Sequence, residues 1–414
     1  MTKRIVIVGG GVIGCCIAYY ASRDHQVTIL ERGTADDRGC SFGNAGLVVP
    51  SHFVPLAAPG MMARALKWMW NSESPFYVKP RIDRALLSWG WKFHRAATAQ
   101  RVAQAAPLLS RLQLESRELF EALAAERDFG FVARGVLMLC QSQHALEEEA
   151  RIAEQAPALG MPAEIVGAKE IAELEPELAL RVAGGVLYPR DAHLDPSRLM
   201  SALRELLRER NVELSWNHEV TGWRHRHDSI EAVRTTRGDI SGDEYVVCAG
   251  SWTSAMLRPL GVALPMEAGK GYSITLSNPP AQPRHPFILM EARVAVTPMG
   301  MALRFGGTME IAGLDETINP SRIRGITKSV PKYLPDFSAD DFRDATPWCG
   351  LRPCSPDGLP YVGRLERYHN LSVAAGHGML GVSLGPITGR LVSEILAGAP
   401  SIAIDLLSPD RFMV

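Results

Sequence analysis

Three glycines and one glutamate near the start of the chain have the spacing of a phosphate-binding turn. Gly9, Gly11 and Gly14 form a GxGxxG pattern, and Glu31 follows at the end of an apolar run. Glycines at these positions permit a tight turn, close approach of the backbone to a pyrophosphate, and close packing of the next helix. The following helix N-terminus offers free N–H groups to the anion. An acid at Glu31 accepts hydrogen bonds from ribose hydroxyls and disfavours a 2′-phosphate, so the pattern predicts a dinucleotide other than NADP.

The elements that must position these residues are also present. Residues 4–8 are a β-branched run typical of a buried parallel strand, residues 13–23 favour a helix, and residues 27–30 form a second strand that ends at Glu31. Strand, turn, helix, strand and acid therefore follow in the order that the motif requires. This order favours a Rossmann-like unit over a glycine-rich turn of some other α/β protein.

Later segments extend the same domain. Residues 246–252 read as an apolar strand that ends in a glycine turn, which suits the edge of a dinucleotide crevice. Residues 371–374 predict another strand and residues 386–396 a helix, with Gly398 as its C-terminal cap. The first and last parts of the chain are thus predicted to belong to one nucleotide domain.

The middle of the chain does not have a nucleotide-fold pattern. Helical runs cover residues 108–125 and 144–155, and predicted strands at 135–139, 185–188, 271–276, 294–298 and 304–307 can build a mixed sheet. We therefore predict an α/β chain of two discontinuous domains. Residues 1–55, 185–258 and 340–414 form the nucleotide-binding domain, and residues 56–184 and 259–339 form a second, α+β domain that binds the substrate.

Composition excludes several classes of protein. The 414 residues carry a formal net charge of -1, which does not favour a nucleic-acid partner. No run of 18 apolar residues occurs, and the apolar run at residues 5–8 is too short for a signal-peptide core. The seven cysteines form no CxxC pair and the 11 histidines lack ligand spacing, so we expect reduced thiols, no metal site and a cytoplasmic location.

Six segments in a fixed order carry a more specific resemblance, which runs nearly end to end. They are GNAG at 43–46, AAPG at 57–60, KWMW at 67–70, KGYS at 270–273, GLRPCSPDGLP at 350–360 and GHGMLG at 376–381. Together they resemble the D-amino-acid oxidase superfamily of FAD enzymes, and within it the bacterial D-amino-acid dehydrogenase family. The resemblance implies a Rossmann-like FAD-binding domain beside a substrate domain with a mixed sheet.

The resemblance also assigns the cofactor site. In this superfamily FAD lies extended, with its pyrophosphate on the glycine turn and its ribose on the acid. The loop 41–47 is expected along the flavin, Val220 beside the adenine, and the N–H groups of 376–381 around the flavin ring, where they stabilise negative charge. The expected cofactor-binding residues are Gly9, Gly11, Val12, Ile13, Gly14, Glu31, Arg32, Ser41, Asn44, Ala45, Gly46, Leu47, Val220, Ala249, Gly250, Trp252, Gly350, Gly376, Gly378, Met379, Leu380 and Gly381.

The link to FAD is expected to be non-covalent. The sarcosine-oxidase branch of the superfamily attaches FAD through a cysteine near the corresponding C-terminal segment. Here that position falls on Gly350, with Cys349 beside it.

Five side chains are candidates for the chemistry. The resemblance places Arg352 as a fork for the substrate carboxylate, and the alternative is a structural arginine. Tyr272 either adds a hydroxyl to that carboxylate or packs in the core. Lys270 either approaches the flavin or is a solvated lysine at a strand start. His52 and His377 either face the flavin or satisfy backbone groups in their turns.

The implied reaction is oxidative deamination of D-amino or D-imino acids, including D-proline-like substrates. Hydride transfer from Cα to flavin N5 gives an imine, water then gives a 2-oxo acid, and the electrons pass to a quinone-type acceptor. A hydroxy-D-proline or proline-type dehydrogenase remains open, as does an oxygen-using oxidase of sarcosine, glycine or L-amino acids. A non-catalytic flavoprotein subunit is the alternative from another class.

Residues 61–95 combine aromatic and basic side chains. They include Trp68, Trp70, Trp89 and Trp91 with several lysines and arginines. Such a mixture suits peripheral contact with the inner face of a membrane, where a quinone would be met. The alternative is that the tryptophans pack in the core, because Pro75 and Pro80 interrupt any long amphipathic face.

Overall fold

The computed structural model describes residues 1–37, 39–62, 73–81 and 83–413. Its first sheet carries the glycine turn and has the spatial strand order Tyr361–Arg364, Leu371–Ala375, Glu244–Val247, Arg4–Val8, Gln26–Leu30 and Glu213–Ser215. All pairs but the outermost, between the first two of these strands, are parallel. Residues from both ends of the chain therefore meet in one sheet, as the strand pattern predicts.

A larger mixed sheet lies on the other side of the molecule. Its spatial order is Trp348–Cys354, Glu267–Leu276, Ala302–Ile311, Val294–Met299, Phe287–Leu289, Val136–Cys140, Gly184–Tyr188 and Glu164–Gly167, with Phe76–Val78 paired to the third of these. Most of its pairs are antiparallel, which lets one face carry a core and the other line a cavity. Two small sheets complete the strands of the described part, namely Val220–Arg226, Ser229–Thr235 and Gly238–Ile240, and Leu47–Val48 with Ala192–His193.

The mixed sheet departs from the expected domain boundaries at two strands. Gly184–Tyr188 pairs antiparallel with Val136–Cys140, although the boundary at residue 185 assigns it to the nucleotide domain. Trp348–Cys354 pairs antiparallel with Glu267–Leu276, although the segment 340–414 was assigned to the nucleotide domain as well. Both assignments are wrong at the level of the sheet, because the partner of a strand depends on long-range pairing that local pattern does not reveal. The division into domains otherwise stays a prediction.

Helices cover the outer faces of the two sheets. In the described part they are Val12–Ala21, Arg84–Ala96, Ala99–Glu126, Gln143–Ala153, Ala168–Leu174, Pro196–Glu209, Thr253–Leu257, Pro320–Tyr333 and Gly385–Ala397. None of these is both long and apolar enough to span a bilayer. The first and last helices pack so closely that a Cβ at Gly389 would lie 2.5 Å from the backbone of Cys16. This contact joins the two ends of the chain over the nucleotide sheet.

Candidate active site

A cavity of about 550 Å³ lies between the two sheets. The nucleotide sheet contributes the glycine turn and the ends of its strands, and the mixed sheet contributes residues of its three adjacent strands at 271–272, 306–309 and 350–353. This is where ligands bind in open α/β sheets, outside the carboxyl ends of the strands. The cavity therefore joins the predicted dinucleotide site to the predicted substrate site.

The glycines of the turn have separate steric reasons to be glycine. Gly9 has φ +114°, and a Cβ there would lie 2.5 Å from the carbonyl oxygen of Cys248. A Cβ at Gly14 would lie 1.9 Å from the oxygen of Gly9, so this residue sets how closely the first helix packs. At Gly11 the nearest atom to a Cβ is Ser41 Oγ at 3.4 Å. Gly9 and Gly14 thus serve the fold, whereas Gly11 leaves open space beside the cavity.

Glu31 is fixed at the end of the second strand by two backbone donors. Its Oε2 accepts from the N–H of Gly10 at 2.7 Å and its Oε1 from the N–H of Gly33 at 3.1 Å. Each carboxylate oxygen retains acceptor capacity for a ligand hydroxyl. Beside it the guanidinium of Arg32 stacks 3.8 Å above the ring of Trp252, which makes a flat wall at this end of the cavity.

The loop that follows the second strand is held against the mixed sheet by an aromatic ring. The indole of Trp348 covers Gly43 and Gly350, where added Cβ atoms would lie 2.1 and 2.2 Å from ring atoms. Arg304 Nη1 donates to the carbonyl oxygens of Phe42 and Asn44, at 3.0 and 2.8 Å. These contacts position the loop 41–47 along one wall of the cavity.

Arg352 is a half-buried cation without an anionic partner among the described residues. Its Nη1 donates to the carbonyl oxygen of Thr308 at 2.6 Å, and burial lowers the pKa of the guanidinium. The guanidinium fits here because residue 271 is glycine: a Cβ on Gly271 would lie 2.2 Å from the guanidinium carbon. Thr308 has φ +66°, a strained conformation for a β-branched residue, and its carbonyl oxygen is held towards Arg352.

Tyr272 and Lys270 belong to a buried polar cluster on the adjacent strand. The hydroxyl of Tyr272 donates to Glu310 Oε2 at 2.7 Å, while the tyrosine ring lines the cavity. Lys270 Nζ donates to the carbonyl oxygen of Thr317 at 2.8 Å and lies 3.5 Å from Asp315 Oδ2. Lys270 is 1% exposed and does not line the cavity. It is therefore neither the solvated lysine nor the cavity residue that its position in the strand suggested.

Both candidate histidines line the cavity, and each is held by a hydroxyl. His52 Nδ1 lies 3.1 Å from Ser51 Oγ, and His377 Nε2 lies 3.0 Å from Thr388 Oγ1 in the last helix. Burial lowers the pKa of His52 to about 4 and that of His377 to about 3, with the charge of Arg293 adding to the shift of His52. Both rings are thus neutral at physiological pH. Nδ1 of His377 is buried without a hydrogen-bond partner in the described structure.

The cavity brings most of the predicted site residues together. Those that line it are Gly9, Gly11, Val12, Ile13, Glu31, Arg32, Ser41, Asn44, Ala45, Leu47, His52, Val220, Ala249, Gly250, Trp252, Tyr272, Gly350, Arg352, His377, Gly378, Met379, Leu380 and Gly381. Gly14, Gly46, Gly376 and Lys270 lie outside its wall. Three of these four are glycines, which contribute through the backbone conformation that they allow. Gly46 and Gly376, for instance, have φ +74° and +77°.

Sequence reasoning missed several cavity residues. Cys40, Arg293, Thr308 and Trp348 line the wall and lie outside the motifs used above. Nothing local in the sequence marks them: Trp348 reaches the cavity through strand pairing, Arg293 and Thr308 have positive φ, and Cys40 lies in a turn. The KWMW segment, with Trp68 and Trp70, lies outside the described residues. Trp89 packs on Phe93 and donates to the carbonyl oxygen of Cys354, whereas Trp91 is 62% exposed.

The geometry of this chain fits FAD. The glycine turn leaves room beside Gly11 at a helix N-terminus, as a pyrophosphate needs, and the fixed carboxylate of Glu31 can accept from ribose hydroxyls. The unpartnered Nδ1 of His377, together with Gly378 and Gly381, forms an uncrowded wall at the other end. The carboxylates in the wall, Glu31 and Glu219, are both on the nucleotide side, so the substrate side carries only cations and neutral groups.

Comparison with known proteins decides the family. A model of the FAD-dependent oxidoreductase (DAO) family matches residues 4–395. The chain belongs to this family. It is thus an FAD-dependent oxidoreductase, and the resemblance to the D-amino-acid oxidase superfamily is confirmed together with the predicted fold class and cofactor.

Relatives cover the whole chain. A D-amino acid dehydrogenase of Granulibacter bethesdensis is 32% identical and covers 95% of this chain and 96% of its own length. One from Rhizorhabdus wittichii is 34% identical and covers 99% and 100%. Among solved structures, glycine oxidase from Geobacillus kaustophilus aligns with a TM-score of 0.79 and 24% identity over 99% of both chains. L-proline dehydrogenase from P. horikoshii aligns with a TM-score of 0.75 and 21% identity over 100% and 98%. The two structures show the shared fold.

Proposed function

We propose that this protein oxidises the Cα–N bond of small D-amino or D-imino acids, with D-proline-like compounds included, and passes the electrons to a quinone-type acceptor. The observation that carries the proposal is Arg352. Its guanidinium lies in the wall of the cofactor cavity with one backbone acceptor and no carboxylate partner among the described residues. Partial burial of a cation without an anionic partner is destabilising, and a bidentate carboxylate ligand would offset that destabilisation.

The charges around Arg352 support an anionic substrate. Arg293 also lines the cavity, and Glu310, two strands away from Arg352 in the mixed sheet, already accepts from Tyr272 and lies 4.0 Å from Lys270. A ligand carboxylate would therefore meet Arg352 without competition from a protein carboxylate. The same site would weakly bind a ligand that lacks an acidic group.

The residues of this chain would orient and shield the substrate. Bound FAD supplies the acceptor for the two electrons and the hydride of Cα. Arg352 would fix the carboxylate, with Thr308 holding the guanidinium from behind. The ring of Tyr272, whose hydroxyl is turned to Glu310, would pack beside the bound ligand as part of an apolar wall. Orientation of Cα and exclusion of water are the main contributions that such a wall makes to the rate.

The names of the relatives support D-stereochemistry and a dehydrogenase. Curated proteins that match almost the full chain at 32–34% identity are D-amino acid dehydrogenases. The electron acceptor is inferred from the same names. Contact with a membrane remains part of this proposal, and the exposed side chains of Leu87 and Trp91 on the helix Arg84–Ala96 are the described features that favour it.

Anaerobic reduction of the bound flavin tests the proposal. The purified holoenzyme is mixed with D- and L-amino acids, D- and L-proline, cis-4-hydroxy-D-proline, sarcosine and glycine, and flavin absorbance is followed with and without a quinone analogue. Oxygen uptake is recorded in parallel. We expect D-amino or D-imino acids to bleach the flavin, the quinone analogue to restore it, and oxygen uptake to stay low. Faster bleaching by the L-enantiomers, or rapid oxygen uptake, would contradict the proposed stereochemistry or acceptor.

A further inference from the structure

Three side chains form a hydrogen-bonded chain from the cavity wall into the protein. Ser51 Oγ lies 2.5 Å from Asp191 Oδ2 and 3.1 Å from His52 Nδ1. The backbone N–H of Ser51 also donates to Asp191 Oδ1 at 3.0 Å. Ser51 therefore holds both oxygens of the Asp191 carboxylate. Asp191 and Ser51 are buried, whereas His52 lines the cavity. The carboxylate-binding site described above uses none of these contacts.

The pattern of donors fixes the state of the imidazole. An ionised carboxylate only accepts hydrogen bonds, so the hydroxyl of Ser51 donates to Asp191. Ser51 Oγ then accepts from His52, and Nδ1 of His52 carries the ring proton. Nε2 is left with a lone pair and has no hydrogen-bond partner within the described structure. The hydrogen bonds from Asp191 through Ser51 therefore leave Nε2 of His52 as a neutral proton acceptor at the cavity.

The surroundings of the three hydrogen-bonded side chains favour a proton on Asp191, at the buried end, over a second proton on His52. Burial and the charge of Arg293 lower the pKa of His52 to about 4, which opposes an imidazolium in the cavity wall. Burial raises the pKa of Asp191 to about 7, although Ser51 and Arg117 lower it. Tyr188 also interacts with Asp191, and it stays neutral because burial raises its pKa. Asp191 can hold a proton near neutral pH and His52 cannot.

We propose that Asp191, Ser51 and His52 form a relay that removes one proton from the substrate ammonium before its Cα–N bond is oxidised. This inference rests on the proposed function and deepens it. The substrate N–H bond breaks and an Nε2–H bond forms, the Nδ1 proton moves to Ser51 Oγ, and the Ser51 proton moves to Asp191 Oδ2. The products are a neutral amine, the other neutral tautomer of His52 and a protonated Asp191.

The relay avoids placing a second positive charge beside Arg293 in the cavity. Oxidation of Cα–N requires the nitrogen lone pair, but amines in water are protonated at neutral pH. A single histidine base would become a cation close to Arg293, whereas the relay moves the charge change to Asp191. His52 contacts the substrate and is the catalytic residue, while Ser51 and Asp191 act through it as positioning residues.

The pH dependence of flavin reduction tests the relay. Anaerobic stopped-flow mixing of the holoenzyme with the fastest substrate of the screen above gives the second-order reduction rate from pH 5 to pH 10. In the wild type we expect this rate to fall below about pH 7, where Asp191 is already protonated. In Asp191→Asn the rate should fall at least tenfold at pH 7 and recover towards the wild-type value as pH rises to 10, because a growing share of the substrate amine is then already neutral in solution. Ser51→Ala breaks the chain without removing the carboxyl group and should behave in the same way.

Glu149→Gln is the matched control. Glu149 is another buried carboxyl group whose pKa is also raised by burial, and it accepts a hydrogen bond from the hydroxyl of Tyr188 at 3.1 Å rather than from Ser51. Its pH profile should match the wild type. The relay is overturned if Asp191→Asn and Ser51→Ala keep the wild-type profile, or if Glu149→Gln shifts it equally.

A melting temperature gives a second readout that does not depend on turnover. A carboxyl group whose folded pKa is raised stabilises the fold at low pH and loses that contribution as pH rises through the folded value. The melting temperature of the wild type minus that of Asp191→Asn should therefore decrease between pH 5 and pH 8. If no amino or imino acid reduces the wild-type flavin, the proposed function and the relay both fail. If reduction occurs and the melting difference is flat, the relay alone fails.

Discussion

At the scale of single residues, the buried Lys270 and the half-buried Arg352, on neighbouring strands, differ in how their charges are compensated. Lys270 has Asp315 at 3.5 Å and Glu310 at 4.0 Å, so its charge is compensated within the protein. Arg352, one strand away, has the carbonyl oxygen of Thr308 and no carboxylate partner within the described part of the chain. A compensated cation needs no ligand, whereas an uncompensated one in a cavity favours an anionic ligand, which supports the role proposed for Arg352.

Replacing Arg352 tests its role. We expect Arg352→Ala to lower kcat/KM for the fastest D-amino or D-imino acid by about 3 kcal/mol, roughly 150-fold, because a charge-assisted pair is lost. Arg352→Lys should recover part of the loss, since it keeps the charge but not the bidentate fork. Steady-state kinetics with a dye acceptor measures both. The control is Arg343→Ala, which removes an exposed arginine that pairs with Asp340 and should leave kcat/KM unchanged. Equal kinetics for Arg352→Ala and the wild type would refute the assignment.

At the scale of elements, the glycine turn separates binding of the cofactor from stability of the fold. The turn residues 9–14 include one glycine beside open space and one whose Cβ would meet backbone at 1.9 Å. The two positions are three residues apart in the same strand–turn–helix unit. Their substitution should therefore have different consequences.

We expect Gly11→Ala to weaken FAD binding at least tenfold while the apoprotein melts as the wild type does, because the added methyl group occupies the approach path of the pyrophosphate. Gly14→Ala should instead lower the melting temperature of the apoprotein, because the first helix must move off the sheet. FAD titration and thermal melts of the apoproteins measure the two effects. Normal FAD affinity in Gly11→Ala would contradict the placement of the pyrophosphate.

The elements also show which features the sequence could predict. The strand–turn–helix–strand unit at residues 4–31 was predictable because its signals are local and periodic. The pairing of Trp348–Cys354 with Glu267–Leu276 was not, since either sheet can accept an apolar strand. For the same reason the sequence revealed neither the contact of Asp191 with Ser51, 140 positions apart, nor the place of Trp348 over Gly43.

At the scale of the whole molecule, the cavity lies between the two sheets, so a cofactor bound there would be enclosed by protein on two sides. Such enclosure can retain FAD without a covalent bond. Cys40 lines the cavity, but burial raises the pKa of its thiol to about 11, so it is not a thiolate nucleophile at neutral pH. Cys349 does not line the cavity, and its thiol donates to the carbonyl oxygen of Glu316 at 3.0 Å.

Acid precipitation tests this arrangement. We expect the flavin to remain in the supernatant when the holoenzyme is precipitated with acid, because neither thiol is placed and ionised for attack. Absorbance of supernatant and pellet measures the distribution. A yellow pellet from the wild type that turns colourless in Cys349→Ser would show a covalent link and contradict this expectation.

The proposed function depends most on the binding of a free substrate carboxylate by Arg352. The most direct measurement compares anaerobic flavin reduction by D-proline and by D-prolinamide, whose carboxylate is replaced with a neutral amide, in the wild type and in Arg352→Ala. We predict that the amide reduces the wild-type flavin at least 100-fold more slowly than the acid, and that Arg352→Ala treats the two compounds alike. An amide that reduces the wild-type flavin as fast as the acid, or an unchanged preference for the acid in Arg352→Ala, would contradict the account.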